Sequence, residues 1–399
     1  MEPGDFKIWL GIDVGKADHW ATAVNDSGEL VYSHSLPNDE SKLRAIYDDL
    51  AAQGRLLIVV DQPATIGALA VAVAQSMAIA VAYLPGLAMR RIADLYPGNA
   101  KTDQRDAFII AHAARTTPHT LRTLRTIDED EAELGMLTGF DDDLARQITQ
   151  TRNRIRGLLT QIHPGLERVI GPRLDHPAIL AMLQTWPVPA ALKKAGHSRI
   201  GAKLKKHGAR RWQAWANEII DALATQTVTV TGTNAAAIVI PHLAHTLAGL
   251  YHQRDDIETQ IEKLVTEHPL YPVLTSMPGI GVRTTAVIIA ELAGKEFDSA
   301  ANLASYAGLV PRTRQSGTSI KSENVSHTGN KRLKRALFLS AFASLRADPI
   351  SRRYYDKKRL NGKRHNQAII ALAHRRLTVI YAMLRDGTFY ETQPPKKAA

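Results

Sequence analysis

Four carboxylates stand where chemistry on a phosphodiester would need them. Asp13 ends the apolar run Ile8-Trp9-Leu10-Gly11-Ile12, and Asp61 ends the run Leu56 to Val60. Asp103 and Asp106 lie three apart in Lys101-Thr102-Asp103-Gln104-Arg105-Asp106, so on a helix they share one face. Acids at the ends of neighbouring strands, joined by such a pair, can converge outside the carboxyl edge of a sheet. Massed like charge is costly unless a cation neutralises it. Mg²⁺ takes carboxylate oxygens and substrate phosphates, and two such ions can clamp both oxygens of an in-line phosphoryl displacement. Taken singly, each acid reads better as a turn residue, an N-cap or a first-turn helix acid. Taken together, in a basic chain, they favour a Mg²⁺ site.

A second candidate is Ser316, followed by Gly317 in a polar loop with Arg312, Arg314 and Lys321 nearby. A serine hydroxyl needs a base or cationic neighbours before it can attack phosphorus. Pro278-Gly279-Ile280-Gly281 precedes an apolar helix expected over 284–293. That spacing is helix–hairpin–helix-like. Gly279 and Gly281 would let the backbone approach a phosphate without reading sequence. A tight turn packing two core helices accounts for the same residues equally well. Tyr354 and Tyr355 sit in a basic run, but no Arg/His/Arg set accompanies them. His242 and His245 share a helix face without further ligands and read as structural or solvent-facing.

The elements around these residues divide the chain. Over 1–125, a hairpin (6–36), a helix (39–52), the covered strand 56–60 and further strand–helix alternation predict an α/β domain, with helices over 64–78 and about 103–115 and a strand over 79–84. Over 126–269 the pattern becomes helical. Leu144, Thr151 and Leu158, and Ile148, Ile155 and Ile162, fall seven apart, and Leu243, Leu250, Ile257 and Leu264 repeat that spacing. The two runs predict an antiparallel arm or an oligomer contact. Between them, an insert over 170–238 carries Lys203, Lys205 and Lys206 among eight basic residues from Lys193 to Arg211, with no acid. That run favours a surface facing phosphates over a merely solvated one. Residues 270–399 form a mostly α-helical last domain. Seventeen basic residues, Lys331 and Arg332 among them, face three acids over 311–380, a net +14 against +11 for the whole chain.

The whole chain has 399 residues, 45% hydrophobic and 22% charged, enough for a real core. Its basic balance points to a polyanionic partner. The absence of cysteine excludes disulfides, thiolate zinc sites and cysteine nucleophiles, and fits a reducing cytoplasm. Aromatic residues are only 6%, which argues against base stacking as the main mode of nucleic-acid binding. The start, Met1 to Asp5, lacks the basic opening and apolar core of a signal peptide. No stretch reaches ~18 apolar residues without a charge, so no membrane span is expected.

Gly11-Ile12-Asp13-Val14 with Lys16, the strand ending in Asp61, and Lys101-Thr102-Asp103 with Asp106 resemble the DEDD transposases of the insertion-sequence family IS110. Pro278-Gly279-Ile280-Gly281, Tyr306-Ala307-Gly308-Leu309-Val310-Pro311, Ser316-Gly317 and Gly329-Asn330-Lys331 with Arg335-Ala336-Leu337 resemble the family's C-terminal transposase domain. The resemblance implies an RNase H-like N-terminal domain similar to Holliday-junction resolvases. It implies Asp13, Asp61, Asp103 and Asp106 as ligands of Mg²⁺ and Ser316 as nucleophile. It further implies a cytoplasmic, nucleoid-associated recombinase that joins element and target DNA under a structured bridge RNA, working as a homo-tetramer. The family usually has Glu at the position of Asp61 and an acid at that of Gln315. Two rival readings stand beside it: a metal-dependent nuclease that uses water, and a non-catalytic nucleic-acid-binding protein.

Overall fold

A computed structural model describes residues 6–63, 65–96, 102–124, 128–310, 312–316, 320–324 and 329–391, with the backbone alone for 312–316 and 320–324. The chain forms two compact units, one of Met1–Glu129 with Leu292–Tyr306 and the other of Asp130–Glu291 with Ala307–Ala399.

The first unit is built on a six-stranded sheet. In chain order its elements are β1 (Ile8–Asp13), β2 (Asp18–Asn25), β3 (Leu30–Pro37), α1 (Glu40–Ala51), β4 (Leu56–Val60), α2 (Ala68–Ser76), β5 (Ala80–Tyr83), α3 (Gly86–Ala93), α4 (Asp103–Thr116) and β6 (Arg122–Thr123). The strands lie in the order β3-β2-β1-β4-β5-β6. β1, β2 and β3 pair antiparallel, β1, β4 and β5 pair parallel, and β6 closes the edge antiparallel. The expected hairpin, the covered strand and the α/β class are all present. The expected helix over 64–78 is a short 3₁₀ turn at Thr65–Gly67 followed by α2.

Side-chain alternation decides what covers each face. Ile8, Leu10, Ile12, Ile58 and Val60 pack with Leu43, Tyr47 and Leu50 of α1 and Ala70, Val73 and Ala74 of α2. Trp9, Leu57 and Val59 point the other way, into a core with Ile110, Ala111, Ala113 and Ala114 of α4. Gly11 belongs to that second face. A Cβ there would stand 2.4 Å from both the Ala107 carbonyl oxygen and the Ala111 nitrogen, so α4 lies directly on the β1 backbone. Both obstacles are main chain and cannot swing aside. Gly11→Ala is therefore expected to destabilise the protein by about 3 kcal/mol, at the upper end for an overpacked core. Denaturant unfolding checks this; a cost under about 1 kcal/mol would mean that α4 is not seated on β1.

The second unit is helical. It holds α5 (Glu129–Ile162), α6 (Pro164–Ile170), α7 (Pro177–Thr185), α8 (Pro189–Lys206), α9 (Trp212–Ala224), α10 (Thr233–Glu267), α11 (Leu270–Thr275) and α12 (Val282–Leu292). After α13 (Ala300–Tyr306), which belongs to the first unit, come the strands β7 (Arg312–Ser316) and β8 (Ile320–Asn324), then α14 (Lys331–Ala347), α15 (Pro349–Leu360) and α16 (His365–Asp386). The two heptad runs are real helices, but their apolar rows are covered within the chain. Leu144, Ile148, Ile155, Leu159 and Ile162 of α5 and Ile240, Ala244, Leu247 and Leu250 of α10 share one core with residues of α6, α7, α8 and α9. The insert thus fills the seam along these residues. Its basic row survives on the surface because α8 and α9 turn Leu192, Ile200, Leu204, Ile219 and Leu223 inward. No helix among the described residues is long and apolar enough to cross a membrane.

Candidate active site

The fold carries the four acids to one edge of the first sheet. Ile12 and Val60 are the last residue pair of the parallel β1–β4 ladder, so Asp13 and Asp61 come next at adjacent strand ends. By parity both continue the face that α4 covers. The α4 helix runs antiparallel to β1: Ala114 near its end meets Phe6 and Trp9, whereas Ala107 in its second turn meets Gly11. Its first turn, with Asp103 and Asp106, therefore lies toward the strand ends that carry Asp13 and Asp61. Thr102 takes the N-cap, its hydroxyl accepting from the Arg105 N–H at 3.2 Å, so neither acid is spent as the cap.

Asp61 is half-buried, and its Oδ1 accepts a hydrogen bond from the Val14 N–H at 3.3 Å. Burial raises its carboxyl above the ordinary range, against the pull of that N–H. The neighbouring residue that sequence reasoning missed is His19. It sits on β2 at 1% exposure, and its Nδ1 accepts from the Gly15 N–H at 3.2 Å. Burial depresses its pKa, and it pins the loop after Asp13 from one side while Asp61 pins it from the other. The available signal was its place on β2 in the inward row with Ala21 and Ala23.

Carboxylate oxygens on a partly buried edge are the donor set a hard divalent ion takes. Among the described residues, however, no group of three or more His, Asp or Glu side chains lies close enough to hold an ion. The geometry brings together the pair Asp13 and Asp61, and carries Asp103 and Asp106 to the same edge in the first turn of α4. Residues 97–101, just before that turn, lie outside the described residues.

Ser316 was expected in a loop. It is instead the last residue of β7, paired with Ile320 across a two-stranded ribbon, and Gly317 to Ser319 lie outside the described residues. In this register positions 312, 314 and 316 fall on one face of the ribbon, and position 321, opposite 315, falls on the other. The acids and Ser316 belong to different units.

The other candidates separate as follows. Gly279 lies between α11 and α12 as expected, at φ +86°, but a Cβ there would meet the Ser340 carbonyl at 2.6 Å and the Ser344 nitrogen at 2.7 Å. It packs closely on α14, whereas Gly281 has open space. Buried Arg376 holds the same turn, donating to the Pro278 carbonyl at 2.6 Å and to Ser340 Oγ at 3.1 Å. Arg332 is tied to Asp142 at 2.7 Å and to Glu291 at 2.6 Å, so its charge is already answered by carboxylates, whereas Lys331 is exposed. Lys205 and Lys206 are exposed and Lys203 half-buried, with the Lys205 ammonium 5.7 Å from the Trp212 ring centre. Tyr354 lies between Arg375 and Lys358, and the Tyr355 hydroxyl bonds His365 Nδ1 at 2.7 Å.

Comparison with known proteins decides the family. Residues 10–164 match the family described as DEDD_Tnp_IS110, Transposase, and residues 271–356 match the description Transposase IS116/IS110/IS902 family. The IS110 insertion-element 43.6 kDa protein of Streptomyces coelicolor is 55% identical over 98% of this chain and 97% of its own. The chain belongs to the IS110 family of transposases. The IS900 42 kDa protein of Mycobacterium paratuberculosis is 36% identical to this transposase over 98% of the chain and 99% of its own. A pilin gene-inverting protein of Moraxella bovis is 38% identical over 29% of this chain and 37% of its own. Both the α/β acid edge and the Gly279 turn lie within the matched segments of the transposase.

Proposed function

We propose that this transposase cuts and rejoins the DNA of an insertion element by way of a serine-linked intermediate, with the acid edge of an RNase H-like first unit holding divalent metal. The observation that carries the reading is the pairing of Asp13 with a half-buried Asp61 whose carboxyl burial has raised, on the same edge as Asp103 and Asp106. The strand order β3-β2-β1-β4-β5, antiparallel then parallel, supports the RNase H-like assignment. Mg²⁺ fits the oxygen donors and, when bound, would neutralise charge on the phosphate.

The chain's own residues would do the rest. The Ser316 oxygen bonds to phosphorus as the bond from phosphorus to a deoxyribose oxygen breaks; the serine proton passes to a base, and the departing oxygen takes one up. Attack by a second DNA hydroxyl reverses these changes and frees the serine, so no external energy is needed. Arg312 and Arg314, in register with Ser316, suit the charge that develops. Following the family resemblance, the proposal includes a homo-tetramer in which subunits complete each other's sites. It also includes a structured bridge RNA that pairs with DNA and supplies the target choice. The protein would act in the cytoplasm at the nucleoid. Incubation with element-end DNA and the element's non-coding RNA should give joined junctions; cut ends without junctions would favour the water-using nuclease.

The basic faces should show in salt dependence. Affinity should fall on a log–log plot with a slope of about −0.9 per duplex phosphate neutralised. Changing Lys203, Lys205 and Lys206 to Glu should flatten that slope, and an unchanged slope would remove α8 from the nucleic-acid surface.

A further inference from the structure

A cleft of about 670 Å³ opens on the second unit beside α5 and α10. Its charged lining is Arg146, Arg152, Arg254 and Arg335 against a single acid, Asp175. That volume is in the range of small-ligand sites, and four guanidinium groups exclude an apolar occupant. Three of the arginines are oriented by consecutive acids of α5. Arg254 grips Asp141 through Nε at 2.7 Å and Nη2 at 3.2 Å, Arg146 pairs with Asp143, and Arg335 lies 3.7 Å from Asp142. Each of these guanidinium groups keeps donors beyond those bonds. Arg152 forms no ion pair among the described residues. Beside it, the Tyr251 hydroxyl is buried against the Arg152 guanidinium. A guanidinium only donates, so the hydroxyl proton is left for a bound acceptor to take.

Guanidinium forks fit phosphate oxygens, and the cleft is larger than a phosphate alone requires. Gln150 and Asn153, three apart on α5, also line it. Their amides both donate and accept, as the edge of a base demands. We propose that this cleft binds one nucleoside phosphate, an unpaired nucleotide of single-stranded nucleic acid, with its phosphate on Arg152 and Arg335 and its base edge toward Gln150 and Asn153. This rests on the reading that the transposase handles nucleic acid.

The test uses the full chain, labelled single-stranded RNA and DNA oligonucleotides, a duplex DNA, and AMP. Arg152→Ala leaves no carboxylate unpaired, so its fold should hold, which the unfolding midpoint verifies. With Arg335→Ala added, single-strand affinity should fall about tenfold or more, and Tyr251→Phe should weaken it several-fold. Duplex affinity should change by less than about twofold in either variant. AMP binding that the double variant abolishes would assign the site to a free nucleotide; oligonucleotide binding without AMP binding would assign it to a nucleotide within a strand. Wild-type single-strand affinity in the double variant overturns the cleft. Failure of the wild type to bind any nucleic acid overturns instead the reading on which it rests.

Discussion

Asparagine in place of Asp61 is expected to raise the unfolding temperature at neutral pH by a few degrees while strand cleavage falls by about two to three orders of magnitude. Burial raises the folded-state pKa of Asp61 above its unfolded value. Between those two values the native state binds more protons than the unfolded state, so stability falls as pH rises through that window and stays lower at neutral pH. A neutral amide removes that cost, and its Oδ1 still accepts from the Val14 N–H. Activity should nevertheless drop by about 10²–10³-fold, the scale for losing one preorganised electrostatic contact. Asp13→Asn should lose cleavage on the same scale. A lower unfolding temperature in Asp61→Asn, with cleavage kept, would make Asp61 a structural turn acid. Differential scanning calorimetry paired with a cleavage assay reads both effects.

The sequence made the α/β unit legible because its strands alternate. Parity alone put Trp9, Gly11 and Asp13 on one face, and the structure covers that face with α4. The strand-end positions of Asp13 and Asp61 were equally plain, since each closes an apolar run. Whether Asp103 and Asp106 converge with them was not, because that depends on how far the first turn of α4 reaches, and no periodicity encodes that distance. His19 was hidden because a buried histidine carries no motif; only its place in the inward row of β2 marks it. The heptads were legible only in part. Spacing by seven reports an apolar stripe and not its occupant: it left an antiparallel arm or an oligomer contact open, and here residues of α6 to α9 share the core with that stripe. At Gly279 one pattern served two uses, and the sequence could not show the close approach of Ser340.

Ser316→Ala should bind nucleic acid as the wild type does and form no covalent adduct with DNA. Ser316 is the last residue of β7, at the end of the strand pair, which suits a group that must reach a partner outside that pair. An unactivated serine hydroxyl is a poor nucleophile, so the loss of its oxygen cannot be made good by a neighbour without the same activation. The local hydroxyls Ser319 and Ser322, with Tyr354, are the controls. Tyr354 lies between the cations of Arg375 and Lys358. Ser322 is paired with Arg314 in the same ribbon and tests whether position or mere proximity matters.

The direct measurement is a denaturing gel of labelled element-end DNA after reaction with wild type, Ser316→Ala, Ser319→Ala and Tyr354→Phe in the presence of Mg²⁺. The account predicts a protein-linked band in all but Ser316→Ala. A band that persists in Ser316→Ala and vanishes in a control would move the nucleophile, and cleavage by the wild type with no band at all would contradict the serine mechanism.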